Sequence, residues 1–166
     1  MTPEQFNKYL ANFQINVKNA QGDLPRIAAN EAARQFRKNF QDESFFGQKW
    51  EEVQRRQTKT VKYKTKSGKE KTKTVKRGKG ADGSRKILTG RTADLGKSIN
   101  IKIEPNKAIV YSDLPYSAAH NEGTRTAGRG RNTKIPKRQF IGNHPVVQDA
   151  ILKEITKRMN QALNQK

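Results

Sequence analysis

The sequence predicts an α+β fold: a small antiparallel sheet flanked by N-terminal and C-terminal helices, with a basic β-hairpin arm protruding from it. Three patterns lead there. Apolar residues recur at helical spacing towards both ends of the chain, at Leu24, Ala28, Ala32, Phe36 and Phe40 and again at Val147, Ile151, Ile155 and Met159. Period-two segments fill the middle, and the net charge of +20 is confined to part of the chain.

Residues 3–20 place Phe6, Tyr9, Leu10 and Phe13 on one helix face, with Pro3 in the first turn. Gly22 and Asp23 then predict a break, with Asp23 capping a second helix that runs to about Phe40 and carries Pro25 in its first turn. An aromatic turn follows, Ser44-Phe-Phe-Gly-Gln-Lys-Trp50. Its rings are expected to cover the end of the sheet, although three aromatics beside a glycine could also stack on bases.

Residues 58–77 alternate with period two around Ser67-Gly68, a two-residue turn signal. Centred there, Lys64 faces Lys71 and Lys62 faces Lys73, while Val61, Tyr63 and Thr65 share the other face with Thr72 and Thr74. Opposed lysines repel, so the arm is expected to be poorly ordered until a partner orders it. Residues 78–86 read as a flexible linker. Ile99, Ile101 and Ile103 then begin a hairpin over 98–112, turning at Glu104-Pro-Asn-Lys107, at the core of the sheet. Asn143-His144 with Pro145 starts the last helix, flanked by Leu152 and Leu163.

The stretch 116–142 organises the rest. It opens with Tyr116-Ser-Ala-Ala-His120-Asn-Glu-Gly123 and closes with Ile135-Pro-Lys-Arg138-Gln-Phe140-Ile-Gly142, two anchored ends holding out a mobile basic loop over 124–134. Pro136 makes its segment an edge or an extended arm rather than a central strand. Domain organisation is accordingly one domain over 1–166, with 55–86 as an inserted basic arm and linker.

Charge marks the interaction surfaces. Residues 55–97 and 124–142 together hold +19 of the +20, and the other segments nearly cancel. The arm offers Lys59, Lys62, Tyr63, Lys64, Lys66, Lys69, Lys71, Lys73, Lys76 and Arg77; the loop offers Arg125, Arg129, Arg131 and Lys134. Anionic partners are the default reading of such patches. Hydrophobic residues make up only 32% of the chain, which fits a compact core with solvated extensions.

Several chemistries find no support. The chain has no cysteine, which removes disulfides, thiolate zinc sites and cysteine nucleophiles. No apolar run approaches a membrane span, and the first residues lack the pattern of a signal peptide. His120-Asn-Glu122 matches the His-x-Glu of zinc deaminases without the cysteine partner motif, so a structural histidine bonding a loop carbonyl is the preferred reading. Gly96-Lys97-Ser98 ends like a phosphate-binding loop, but the required first glycine falls on Arg91. The expectation is a protein that is not an enzyme and takes no metal or cofactor.

In combination the short motifs resemble the phage virion morphogenesis family, the Mu-type tail completion and head-tail joining proteins. Gly47-Gln-Lys-Trp50, then Leu88, Gly90 and Leu95, then Ser98-Ile99, are similar to its turn and its entry into the sheet. Tyr116, His120 and Gly123, followed by Ile135, Pro136, Arg138, Phe140 and Gly142, are similar to its two closing motifs. Asn121 and Glu122 depart from the pattern, and the Lys/Thr hairpin looks like an insertion. The resemblance covers about residues 24–160 and implies a virion subunit made in the host cytoplasm. It would form a homo-oligomeric ring at the neck, against portal-adaptor, neck or tail proteins, with packaged DNA as a further candidate partner and no membrane. Arg138 reads either as part of that interface or as a core-edge salt bridge. Composition alone favours a nonspecific nucleic-acid binder using both basic extensions, the alternative reading.

Overall fold

The structure is a computed structural model that describes residues 2–78 and 80–164. Lys79, in the predicted linker, lies outside the described residues. In chain order the elements are α1 (Pro3–Asp42), β1 (Ser44–Phe45), β2 (Gln48–Lys49), β3 (Thr58–Lys64), β4 (Glu70–Lys76), α2 (Ala81–Ser84), α3 (Asp94–Lys97), β5 (Ile99–Glu104), β6 (Lys107–Ser112), α4 (Ser117–Glu122), β7 (Thr124–Ala127), β8 (Thr133–Ile135) and α5 (Pro145–Leu163). Among the described residues the strands form four separate antiparallel pairs, β1-β2, β3-β4, β5-β6 and β7-β8, in place of the single small sheet predicted.

The two N-terminal helices predicted from Gly22 and Asp23 are one continuous 40-residue helix. Thr2 caps it in a reciprocal box with Gln5. Asp23 does not cap anything, because its carboxylate receives Arg26 at 2.7 Å and Arg158 of α5 at 3.1 Å. Packing along α5 thus outweighs the local penalty of Gly22 and Pro25. The two helices run antiparallel, since Asp23 meets Arg158 near the end of α5 while Phe46, just past α1, stacks on His144 at 4.6 Å. His144 is also the N-cap of α5, its Nδ1 accepting the Val146 amide at 3.3 Å. The apolar face of the first turns of α1 stays exposed, with Phe6 49% and Ile15 56% accessible.

The core gathers Ala32, Ala33, Phe36 and Phe40 of α1 with Trp50, Ile87, Leu95, Ile99, Phe140 and Val147. Phe40 sits at its centre, 5.6 Å from the Trp50 ring and 5.1 Å from Phe140. Burying rings of this size is what supplies most of the driving force in so polar a chain. Gly96 lies against the Phe40 ring, where an added Cβ would come to 3.5 Å, an ordinary contact, so it belongs to the packing around Phe40. The aromatic turn packs at this core instead of covering the end of a sheet: Phe45 and Trp50 are buried, Phe46 packs against the cluster, and the Trp50 indole donates to the Gln139 carbonyl at 2.8 Å. Phe46 and Gly47 both take positive φ, 48° and 95°, the geometry of a tight hairpin turn.

The 98–112 hairpin forms as predicted, with Ile99 opposite Ser112 and Glu104 opposite Lys107. Pro105 followed by Asn106 at φ 60° makes the turn. The pair leaves the core as it goes: Ile99 is fully buried and Ile103 is 44% exposed. It is therefore a ribbon rooted in the core rather than the middle of a sheet.

Candidate functional site

The arm is a hairpin, but its register differs by one residue from the expectation. Lys64 pairs with Glu70, Tyr63 with Lys71, Lys62 with Thr72 and Val61 with Lys73. The cause is Gly68, at φ 78°, which closes a longer loop in which Thr65 and Lys69 are bridged by the Thr65 amide to the Lys69 carbonyl at 2.9 Å. A glycine in the left-handed region after two ordinary turn residues gives a bulged three-residue loop instead of a two-residue turn. A one-residue shift moves every side chain of one strand to the other face. No lysine then opposes a lysine, so the repulsion expected from the sequence is absent. Lys73 lies over the Tyr63 ring at 5.6 Å, and Val61 and Val75 share that face.

Lys59, Lys62, Lys64, Lys66, Lys69, Lys71, Lys73 and Lys76 are all exposed. The 124–134 segment is likewise a short hairpin, β7-β8, and not an unstructured loop; Arg125, Arg129, Arg131 and Lys134 are exposed on it. Among the described residues none of these cations forms an ion pair.

The root of the arm is held firmly. Glu43, at the left-handed end of α1, accepts both terminal nitrogens of Arg56 and the Ile87 amide, the last at 2.6 Å. Arg56 also donates to the Arg85 carbonyl at 2.8 Å, and Arg55 donates to the carbonyls of Arg85 and Lys86 at 3.0 and 2.7 Å. Hydrogen bonding from Arg56 holds the Glu43 carboxyl below the usual carboxylate range, against burial that would raise it. The predicted linker thus contains a short helix, α2, and a pair of carbonyls that two arginines grip.

The motif residues do converge. Leu88, Gly90, Leu95, Tyr116, His120 and Arg138 line one cavity of about 260 Å³, together with Val53, Arg55, Thr89, Thr92 and Asp94. Arg138 is 7% exposed. Among the described residues it forms no salt bridge, contrary to one sequence reading; its Nε donates to the Glu51 carbonyl at 3.0 Å. Burial lowers its pKa and the neighbouring Arg55 charge adds to that, while the Glu51 and Glu52 carboxylates oppose it. The His120 carbonyl accepts the Arg138 amide at 2.8 Å, yet the ring does not bond a loop carbonyl as expected: Nδ1 is buried without a partner, as is Arg55 Nε. Burial, then the Arg138 charge, keeps His120 below its ordinary pKa.

The rest of the motif positions that cavity. Gly123 has φ 75° and ψ 159°, a region essentially restricted to glycine, and an added Cβ would lie 2.8 Å from the Lys137 amide. Asn121 accepts the amides of Phe140 and Ile141 at 2.9 and 3.0 Å, clamping α4 to the segment after Arg138. Pro136 lies just past β8, consistent with its expected edge position. Arg55, Asn121 and the buried Asn39, which donates to the Phe140 carbonyl at 3.2 Å, were not singled out as site residues from the sequence. A basic residue in a basic run and asparagines on helices carry no local signal of the bonds they make.

Among the described residues no group of acidic or histidine side chains could hold a metal ion, and no helix is long and apolar enough to cross a membrane. A family profile described as the phage virion morphogenesis family matches residues 4–160. The chain is also 41% identical over 64 residues to Mu-like prophage FluMu G protein 2 of Haemophilus influenzae, covering 39% of this chain and 46% of that one. The chain thus spans about half the length of this curated relative. No solved structure matches.

Proposed function

The chain belongs to the phage virion morphogenesis family, and from that premise we propose that it is a ring-forming structural subunit of the phage neck, joining head and tail or completing the tail. The observation that carries this reading is the separation of core from charge. The core closes around Phe40 without the two basic hairpins, whose cations are exposed and unpaired. A ring repeats each hairpin around its circumference, so contacts that are weak singly become firm together. On this reading β3-β4 and β7-β8 clasp acidic surfaces of neighbouring neck or tail subunits, and the role is structural rather than catalytic.

The test is electron microscopy of particles from a phage in which the gene is disrupted. Filled capsids beside finished, unattached tails are expected. Normally joined virions with a defect in DNA replication or condensation would overturn the proposal.

The exposed lysines of β3-β4 also suit contact with phosphates, which favours DNA as a second target of the same surface. Duplex binding that weakens steeply with salt supports this second role; no binding even at low salt removes it.

A further inference from the structure

The cavity lined by the motif residues has a property that core packing does not explain. Two guanidinium groups and an imidazole form part of its wall, and Arg55 Nε and His120 Nδ1 are buried there with no partner. Arg138 is almost wholly buried, and among the described residues its side chain makes one hydrogen bond, Nε to the Glu51 carbonyl. Buried polar groups normally find partners, and each exception asks for a cause. The only acidic side chain in the lining, Asp94, bonds Thr92 and forms no ion pair with either arginine. Glu51 and Glu52, outside the lining, oppose the repulsion between Arg55 and Arg138 at a distance, but among the described residues no carboxylate bonds either guanidinium inside the cavity.

We propose that this cavity is a socket for one carboxylate, an acidic side chain presented by a neighbouring protein subunit. The proposal deepens the reading of the chain as a virion subunit and rests on that reading only for the kind of partner. A carboxylate has two oxygens and about four lone pairs, enough to receive the arginine donors and a histidine N–H at once. Size agrees with it: about 260 Å³ holds roughly nine waters at ~30 Å³ each. That admits the end of a glutamate or aspartate with several waters beside it and is below the ~300 Å³ at which small-molecule pockets usually begin.

A DNA phosphate fits less well. A duplex presents a continuous polyanion, which would have to drive one phosphate into a half-enclosed cleft beside Asp94 while the exposed lysines of β3-β4 offer open contact. The socket and the basic hairpins are then separate devices. The hairpins attract an acidic surface, and the socket reads the position of one group on it.

The direct test uses sodium acetate as the probe on the full chain, following the arginine Nε and histidine ring signals by NMR with sodium chloride as the ionic-strength control. Acetate should shift the Arg55, Arg138 and His120 signals saturably, with a dissociation constant on the order of 1–10 mM, within reach of a four-atom ligand. Arg55→Gln and, separately, Arg138→Lys should each weaken that binding at least tenfold. The circular dichroism of each variant establishes that it is folded, and Arg55→Gln keeps the test usable if Arg138→Lys does not fold. Shifts no larger than those in chloride overturn the proposal. So does inorganic phosphate binding tenfold tighter than acetate, which would make the site a phosphate pocket.

A second arm identifies the partner. Self-association that acetate competes away, and that Arg55→Gln abolishes, places the carboxylate on a second copy of this chain; its absence alongside acetate binding places it on a different virion protein. Acetate binding in a protein whose gene proves dispensable for joining would sink the neck reading and leave the socket standing.

Discussion

The carboxylate of Glu43 ties three parts of the molecule together, and its removal gives the sharpest check on how the arm is rooted. It accepts two bonds from Arg56 and one from the Ile87 amide, and the side chains of Glu43 and Arg56 are only 25% and 19% exposed. Bonds to a charged group contribute about 1.5–3 kcal/mol each in favourable cases. Residual exposure, and the bond that Arg56 keeps to Arg85, reduce the loss. Glu43→Gln should therefore cost about 2 kcal/mol at neutral pH. In a chain of this length that lowers Tm by about 4–8 °C.

The sign of the pH dependence is fixed. Arg56 depresses the folded pKa of Glu43, so this stability is fully present above the unfolded value of about 4.3 and is lost as pH falls through the lower folded value. The assay is urea denaturation of wild type, Glu43→Gln, Arg56→Gln and the double variant, at pH 7 and at pH 3. A coupling energy of about 1–2 kcal/mol at pH 7, shrinking at pH 3, is expected. Single variants within 0.5 kcal/mol of wild type, or a loss that is the same at both pH values, would refute the argument.

Three further outcomes are expected. Phe140→Ala empties the space beside Phe40 and should destabilise by about 3–5 kcal/mol in the same denaturation assay; a loss below 1 kcal/mol would mean that Phe140 is not in the core. Gly123→Ala, forced into a glycine-only conformation against the Lys137 amide, should lose about 3 kcal/mol, and a neutral result would contradict the geometry of the α4-β7 junction. Replacing Lys62, Lys64, Lys71 and Lys76 by alanine should leave unfolding within ~0.5 kcal/mol of wild type, yet reduce joined virions at least tenfold by plaque titre; unchanged titres would remove the arm from the proposed interface. Backbone relaxation of the free chain gives a check on the arm itself, since residues as rigid as β5-β6 would show that no partner is needed to order it.

Patterns with a short physical cause were legible in the chain. The apolar spacing of α5 and of the second half of α1, the β5-β6 hairpin and the confinement of charge to two segments all follow from local periodicity or from counting, and each appears in the structure. The motifs at Leu88, Gly90, Leu95, Tyr116, His120 and Arg138 could be named as residues, but nothing in their order said that they share a cavity.

Tertiary structure decided the rest, for reasons of competing energies. The local signals at Gly22, Asp23 and Pro25 predict a break, but α5 offers that stretch a packing partner, and Arg158 draws the Asp23 carboxylate away from a capping role. The strand pattern of the arm allowed two registers, and only the left-handed conformation of Gly68 chose between them, turning a repelling lysine face into one where each lysine meets threonine, glutamate or an apolar neighbour. Arg55 reads as one more cation in a basic run until the Arg85 and Lys86 carbonyls hold it against the cavity. Spacing along a chain records which residues can share a face; which buried groups are left without a partner depends on what every other segment brings to them.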